Sequence, residues 1–158
     1  TVTRAGKTAA QTSYEKIKQR AAGKKEAEKE DTEECQQVMN LSDEQINLLS
    51  KLVAAEARGE SYEGQVAVAA VVLNRVQDSR FPDSIEGVIY QKNAFSVVRN
   101  GYIKAERTEE SDKAVKDALY GNDPTNNAIY FWNPDISTCN WINTLNPHLR
   151  IGNHVFAR

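Results

Sequence analysis

Residues 42–76 read SDEQINLLSKLVAAEARGESYEGQVAVAAVVLNRV, and this stretch decides the fold. Ser42 stands where a helix N-cap belongs, and Gln45 takes the capping-box position three residues on. Asp43 and Glu44 suit the positive end of the helix dipole. The pattern predicts a helix from there to about Arg58, with Gly59 close to its C-cap. Ile46, Leu49 and Val53 follow the three-and-four spacing of a core-facing stripe, and the next member of that series is Glu56. A carboxylate thus occupies a position where an apolar side chain is expected. Ser61 then caps a second helix, read from about Tyr62 to Val76. Val66 to Leu73 leave no polar face over two turns, so this helix should be surrounded by protein and form the centre of the fold.

Outward from this pair, Phe81-Pro82 breaks the chain, and Asp83 or Ser84 starts a short helix with Ile85, Val88, Ile89 and Tyr90 on one side. A loop with Phe95, Ser96, Asn100 and Gly101 follows. Thr108 caps a further helix whose inner face is Ala114, Val115, Ala118 and Leu119, and Gly121 stops it. Ala128 to Trp132 and His154 to Ala157 are short aromatic and β-branched runs that suit a small sheet or extended walls. Residues 1–40 are dominated by Ala, Lys, Glu and Gln and read as a charged helical or flexible tail or linker, with docking of a partner as the alternative. Residues 41–158 form the body. The fold class is α+β, mainly helical, with a small β element.

A net charge of −2 provides no global field for holding nucleic acid, which is therefore not an expected partner. The longest apolar run, Val66 to Leu73, is far short of the roughly 20 residues that cross a bilayer, so no transmembrane segment is expected. The chain opens at Thr1 without a signal-peptide core, which suits a processed or truncated form lacking its targeting segment. Cys35 and Cys139 have no CxxC spacing and read as free thiols, with a bridge between them as the alternative. His148 and His154 lack helix-type metal spacing, so neither metal nor other cofactor is expected. Ser96 lacks the glycine-flanked nucleophile elbow, and the Asn122–Asn127 segment reads as a capped turn rather than a calcium loop.

Glu56 is the sharpest chemical signal. A carboxyl on the buried side of a helix loses hydration, which disfavours its charged form and readies it as a general acid. The bland reading is a structural glutamate paired with Arg58 or Arg75. Tyr90, Phe95, Tyr102, Tyr130, Phe131, Trp132, Asn133 and Trp141 supply the aromatic platforms and amides that suit sugar rings. Tyr130 and Trp132 alternate with Phe131, so at most one set faces a cleft.

Ala54-Ala55-Glu56-Ala57-Arg58-Gly59-Glu60, followed by Tyr62 to Val76, closely resembles the cell wall hydrolase family that includes the spore cortex-lytic enzymes of the SleB/CwlJ type. The likeness continues through Phe81-Pro82, Gly87 to Gln91, Ala94-Phe95-Ser96, Asp123-Pro124-Thr125, Asn133-Pro134 and Gly152 to Phe156, covering Leu41 to Arg158 and none of the tail. The resemblance implies a lysozyme-like domain, similar to lytic transglycosylases, that cuts the glycan strand of spore cortex peptidoglycan during germination. It makes Glu56 the catalytic residue. Arg58, Gln65, Phe95, Ser96, Tyr130, Trp132 and Asn133 are then the expected substrate contacts. The implied partner is cortex peptidoglycan bearing muramic lactam, with a germination protein as a further partner for the tail, and the implied location is the spore cortex or cell wall. No second motif carboxylate stands out, since Asp78, Asp83, Asp123 and Asp135 suit caps and turns. Ser61, Cys139, Asn143 and Asn153 depart from the family pattern. The alternatives are a water-using N-acetylmuramidase and a non-catalytic peptidoglycan-binding or germination-complex protein.

Overall fold

The computed structural model describes residues 36–158. The readings of residues 1–35, including the Cys35–Cys139 bridge, lie outside the described residues. Cys139 is exposed. The Val38 N–H donates to the Leu119 carbonyl at 2.7 Å, and Met39 packs against the main core.

Four α-helices and one short 3-10 helix (Ile142–Thr144) are present among the described residues, the α-helices being α1 (Asp43–Glu56), α2 (Tyr62–Gln77), α3 (Ile85–Ile89) and α4 (Glu109–Leu119). Their starts follow the sequence. Ser42 and Gln45 close a capping box on α1, the Ser61 hydroxyl accepts from Gly64 N–H on α2, and Thr108 and Ser111 close a second box on α4. Each such cap contributes about 1 kcal/mol. The first helix ends earlier than its pattern suggests, at Glu56 with Ala57 as C-cap, because Gly59 turns the chain with φ +80° toward the Ser61 cap. Tyr90 is also corrected: it caps α3 and stands 44 % exposed rather than sharing the inner side with Ile85, Val88 and Ile89.

The central role of α2 follows from its sequence. Every residue from Gly64 to Leu73 is buried, and α1, α3, α4 and the sheet pack around it. Leu49, Leu52 and Val53 of α1 and Ala114, Val115, Ala118 and Leu119 of α4 complete the main core. Burying each Leu or Val side chain is worth about 1.5–3 kcal/mol. Polar links fix the rotation of the helices. Ser50 of α1 meets Ser111 and Asp112 of α4 at 2.7 and 2.5 Å, and Tyr62 of α2 donates to Asp117 of α4.

The β element contains more than the two runs expected. A hairpin of β1 (Val98–Arg99) and β2 (Tyr102–Ile103) turns at Asn100-Gly101, and a three-stranded antiparallel sheet joins β3 (Tyr130–Trp132), β4 (Leu149–Ile151) and β5 (His154–Ala157) in the order β3-β5-β4. Phe131 pairs with Phe156, and Ile151 with His154 across the Gly152-Asn153 turn. Phe156 is fully buried and, with Ala67, Val71 and Ala128, seals the sheet onto α2.

Candidate active site

Glu56 is the last residue of α1, directly after the buried stripe that includes Val53. Burial pushes its carboxyl from the ordinary 4.5 up to about 7, and the Arg75 guanidinium pulls in the opposite direction without overcoming it. No ion pair within 4.0 Å joins Glu56 to Arg58 or Arg75 among the described residues. No protein hydrogen bond engages the carboxyl either, and it is absent from the sealed, unpartnered polar atoms, of which His154 Nδ1 is the single case among the described residues. Among the described residues this group is therefore largely dehydrated, without a hydrogen-bond or ion-pair partner, and still reachable from solvent. A structural glutamate at a comparable depth would need a partner.

Behind it, Arg75 of α2 is itself buried at 7 % exposure. Its Nε–H donates to the Ile129 carbonyl at 2.7 Å, and its guanidinium carbon lies 4.9, 5.2 and 5.8 Å from the ring centroids of Phe81, Phe95 and Tyr130. Burial lowers Arg75 to about 10, while Tyr130 and Glu56 oppose the change, so the cation persists at neutral pH. The rings hold the charge by cation–π attraction in place of a carboxylate. Tyr130 then meets Trp141 edge-on at 5.3 Å, and Trp141 is 56 % exposed. A continuous aromatic path thus runs from the buried cation to the surface.

The turn after Glu56 is clasped to the sheet. Glu60 accepts the Asn153 backbone N–H at 3.1 Å and the Asn153 side-chain amide at 2.9 Å. Burial alone would raise the Glu60 carboxyl, but these two bonds and the neighbouring His154 and Arg150 bring it below its ordinary value. Gly152 has φ +59°, and a Cβ built there would collide with Glu60 Oε1. The positive φ favours glycine, and any larger residue would push the Glu60 carboxylate away from Asn153.

The eight sequence-derived site residues are not all gathered around the carboxyl. Arg58 is exposed in the turn after α1, and Ser96 is exposed ahead of β1. Tyr130 belongs to the Arg75 cage. Gln65 is buried and commits its amide to Glu110 on α4. Phe95, 6 % exposed, backs the guanidinium, and Trp132, 8 % exposed, packs with Val155 and Ala157. These three side chains are packed into protein rather than open to sugar. Asn133 uses its side-chain oxygen to accept Asp135 N–H at 2.9 Å, making its own turn. Sequence reasoning treated Arg75 only as a possible ion-pair partner. Its signal was a lone cation closing an otherwise apolar helix.

Three of the four loop acids are occupied, while Asp83 is exposed and makes no side-chain hydrogen bond or ion pair among the described residues. Asp78 is held by Arg80, Asp123 accepts from Thr125, Asn74 and Asn127, and Asp135 pairs with Arg150 at 3.6 Å. Among the described residues no group of three His, Cys, Asp or Glu gathers as a metal site, and no helix is long and apolar enough to cross a membrane.

Comparison with known proteins adds relatives to this geometry. The family described as Cell Wall Hydrolase matches residues 59–157, beginning three residues after Glu56. The spore cortex-lytic enzyme of Oceanobacillus iheyensis is 47% identical over 117 residues, which are 74% of this chain and 42% of that protein. The chain thus spans less than half the length of such curated relatives. The catalytic domain of the germination-specific lytic transglycosylase SleB from Bacillus anthracis superposes with a TM-score of 0.71 at 45% identity, covering 75% of this chain and 98% of that one. The catalytic domain of the Bacillus cereus SleB protein does so with a TM-score of 0.70 at 46% identity, covering 75% and 93%.

Proposed function

The chain belongs to the cell wall hydrolase family, and from that premise we propose that it cleaves the glycan strand of spore cortex peptidoglycan during germination, as a lytic transglycosylase with Glu56 as its single catalytic carboxyl. The observation that carries the reading is the unpaired, dehydrated, solvent-reachable Glu56, whose pKa of about 7 suits a group that must both give and take a proton near neutrality. The spore cortex is the corresponding site of action, and residues 41–158 are the catalytic domain of the proposal. A muramic-lactam requirement belongs to the same proposal.

The steps balance on one carboxyl. Protonated Glu56 gives its proton to the glycosidic oxygen as the bond to the muramic C1 breaks, and charge develops on the sugar ring. The sugar's own C6 hydroxyl then attacks C1 and returns its proton to the Glu56 carboxylate. The product carries a 1,6-anhydro ring, no water is consumed, and the acid is restored. Arg75 limits how far burial raises the carboxyl, so the ionised form remains accessible after the first transfer. Ordinary glycosidases place a second carboxylate opposite the acid. The hydrogen bonds and ion pairs already made by Asp78, Asp123 and Asp135 favour the one-carboxyl route.

Purified cortex peptidoglycan, and vegetative wall lacking the lactam, would be digested and the soluble fragments weighed by mass spectrometry. Anhydro-muramic ends from cortex alone are expected, and they should vanish with Glu56→Gln while its circular dichroism stays unchanged. Reducing ends would assign the attack to water. Retained cleavage by the variant, or binding without fragment release by the wild type, would overturn the assignment.

A further inference from the structure

A cavity of about 920 Å³ lies beside Glu56 without including it in its walls. Ala55 and Arg58, on either side of the acid in the chain, form one wall. Arg99 of β1 and Lys104, just after β2, add two more cations to the lining, and Val97 and Ile103 add apolar surface. Tyr102, 60 % exposed, stands over it. Among the described residues, none of the three cations makes an ion pair or a side-chain hydrogen bond.

This concentration of positive charge is local, since the whole chain carries −2. Cations on low-dielectric walls focus their field and raise the local concentration of anions. The volume is near the upper end of the roughly 300–1,000 Å³ typical of ligand pockets, far more than a single carboxylate requires. A neutral sugar seeks amides and hydroxyls at its edges. Asn100 and Tyr102 supply one amide and one hydroxyl here, but the lining also holds three cations and no carboxylate, a balance that a neutral sugar does not require and that is complementary to an extended short peptide bearing several carboxylates.

We infer that this groove holds the acidic peptide substituent of the peptidoglycan strand, with Arg99 and Lys104 meeting its carboxylates; the inference rests on the strand-cleaving reading of Glu56. A strand lying across that acid carries its peptides on those muramic residues that are not lactams, and Ala55 of the groove directly precedes Glu56 in α1.

The test compares soluble disaccharide–peptide fragments with the same disaccharides stripped of peptide. Binding to the full chain is measured by titration calorimetry at low and high salt, and cleavage is measured on peptide-bearing and peptide-free strands. The double variant R99Q/K104Q should bind the peptide-bearing fragment about five- to tenfold more weakly, the size expected for losing two exposed charge contacts. The ratio of cleavage on peptide-bearing to peptide-free strands should fall in parallel, and R99K/K104R should restore both. Equal wild-type affinity for the two fragments, or an equal loss on both in the double variant, overturns the inference. The two readings fail differently. If strand cleavage is wrong, neither strand is cut while the peptide-dependent binding difference persists; if the groove is wrong, cutting persists and the difference vanishes.

Discussion

Replacing Glu56 with glutamine should stabilise the protein at alkaline pH while changing it far less at acid pH. Burial lifts this carboxyl from 4.5 to about 7 in the folded protein, whereas in the unfolded chain it ionises near its ordinary value. Between those two values the folded state retains a proton that the unfolded state has already released. Stability from this group is therefore fully present below about 4.5, declines as pH rises, and is lost once pH passes about 7. At about 1.4 kcal/mol per tenfold difference in proton affinity, the interval amounts to about 3 kcal/mol. Glutamine keeps the shape and has no proton to lose. Urea unfolding of both proteins at about pH 5 and about pH 8.5 measures the effect. The stability difference, variant minus wild type, should grow by about 2–3 kcal/mol between the two conditions. A difference that stays constant within about 0.5 kcal/mol would refute the claim that this carboxyl is held protonated by burial.

The same proton governs the rate: kcat/KM for cortex cleavage should fall with an alkaline limb near pH 7, and Arg75→Met should move that limb upward, because the one opposing charge has been removed. An unmoved limb in a folded variant would separate Arg75 from the acid. Gly152→Ala should lower stability by about 1–3 kcal/mol, read as a drop of several degrees in Tm, through strain at positive φ and displacement of Glu60. An unchanged Tm would mean that the clasp is slack. Trp141→Ala, removing the exposed ring beyond Tyr130, should raise KM about three- to tenfold with kcat nearly constant, the usual worth of one aromatic contact. A fall in kcat alone would instead place Trp141 in the chemical step.

The helices were legible because their signals are local. Ser42, Ser61 and Thr108 satisfy orphan N–H groups within three residues, and the apolar run of α2 has no solvent face to offer. Glu56 was legible for the same reason, as a polar residue on an apolar stripe. The β1–β2 hairpin was read as loop, although Asn100-Gly101, with φ of 53° and 70°, is a strong local hairpin signal; strands of two residues leave no alternation to read. Strand β4 pairs through a two-residue turn and also escaped the pattern. The burial of Gln65 and Trp132 has a different cause. Gln65 is tied to Glu110, 45 residues away, and Trp132 is covered by Val155 and Ala157, so residue type suggested a cleft while distant packing decided burial.

The clasp between Glu60 and Asn153 joins positions 93 apart in the chain. Closing so long a loop carries an entropic penalty that is recovered only after the flanking elements have assembled. Until the Gly152-Asn153 turn is in place, the turn after Glu56 therefore lacks this tether to the sheet. The contact between these distant parts of the chain is consequently one of the final events of folding, and the turn after Glu56 is fixed only when the carboxy-terminal hairpin arrives.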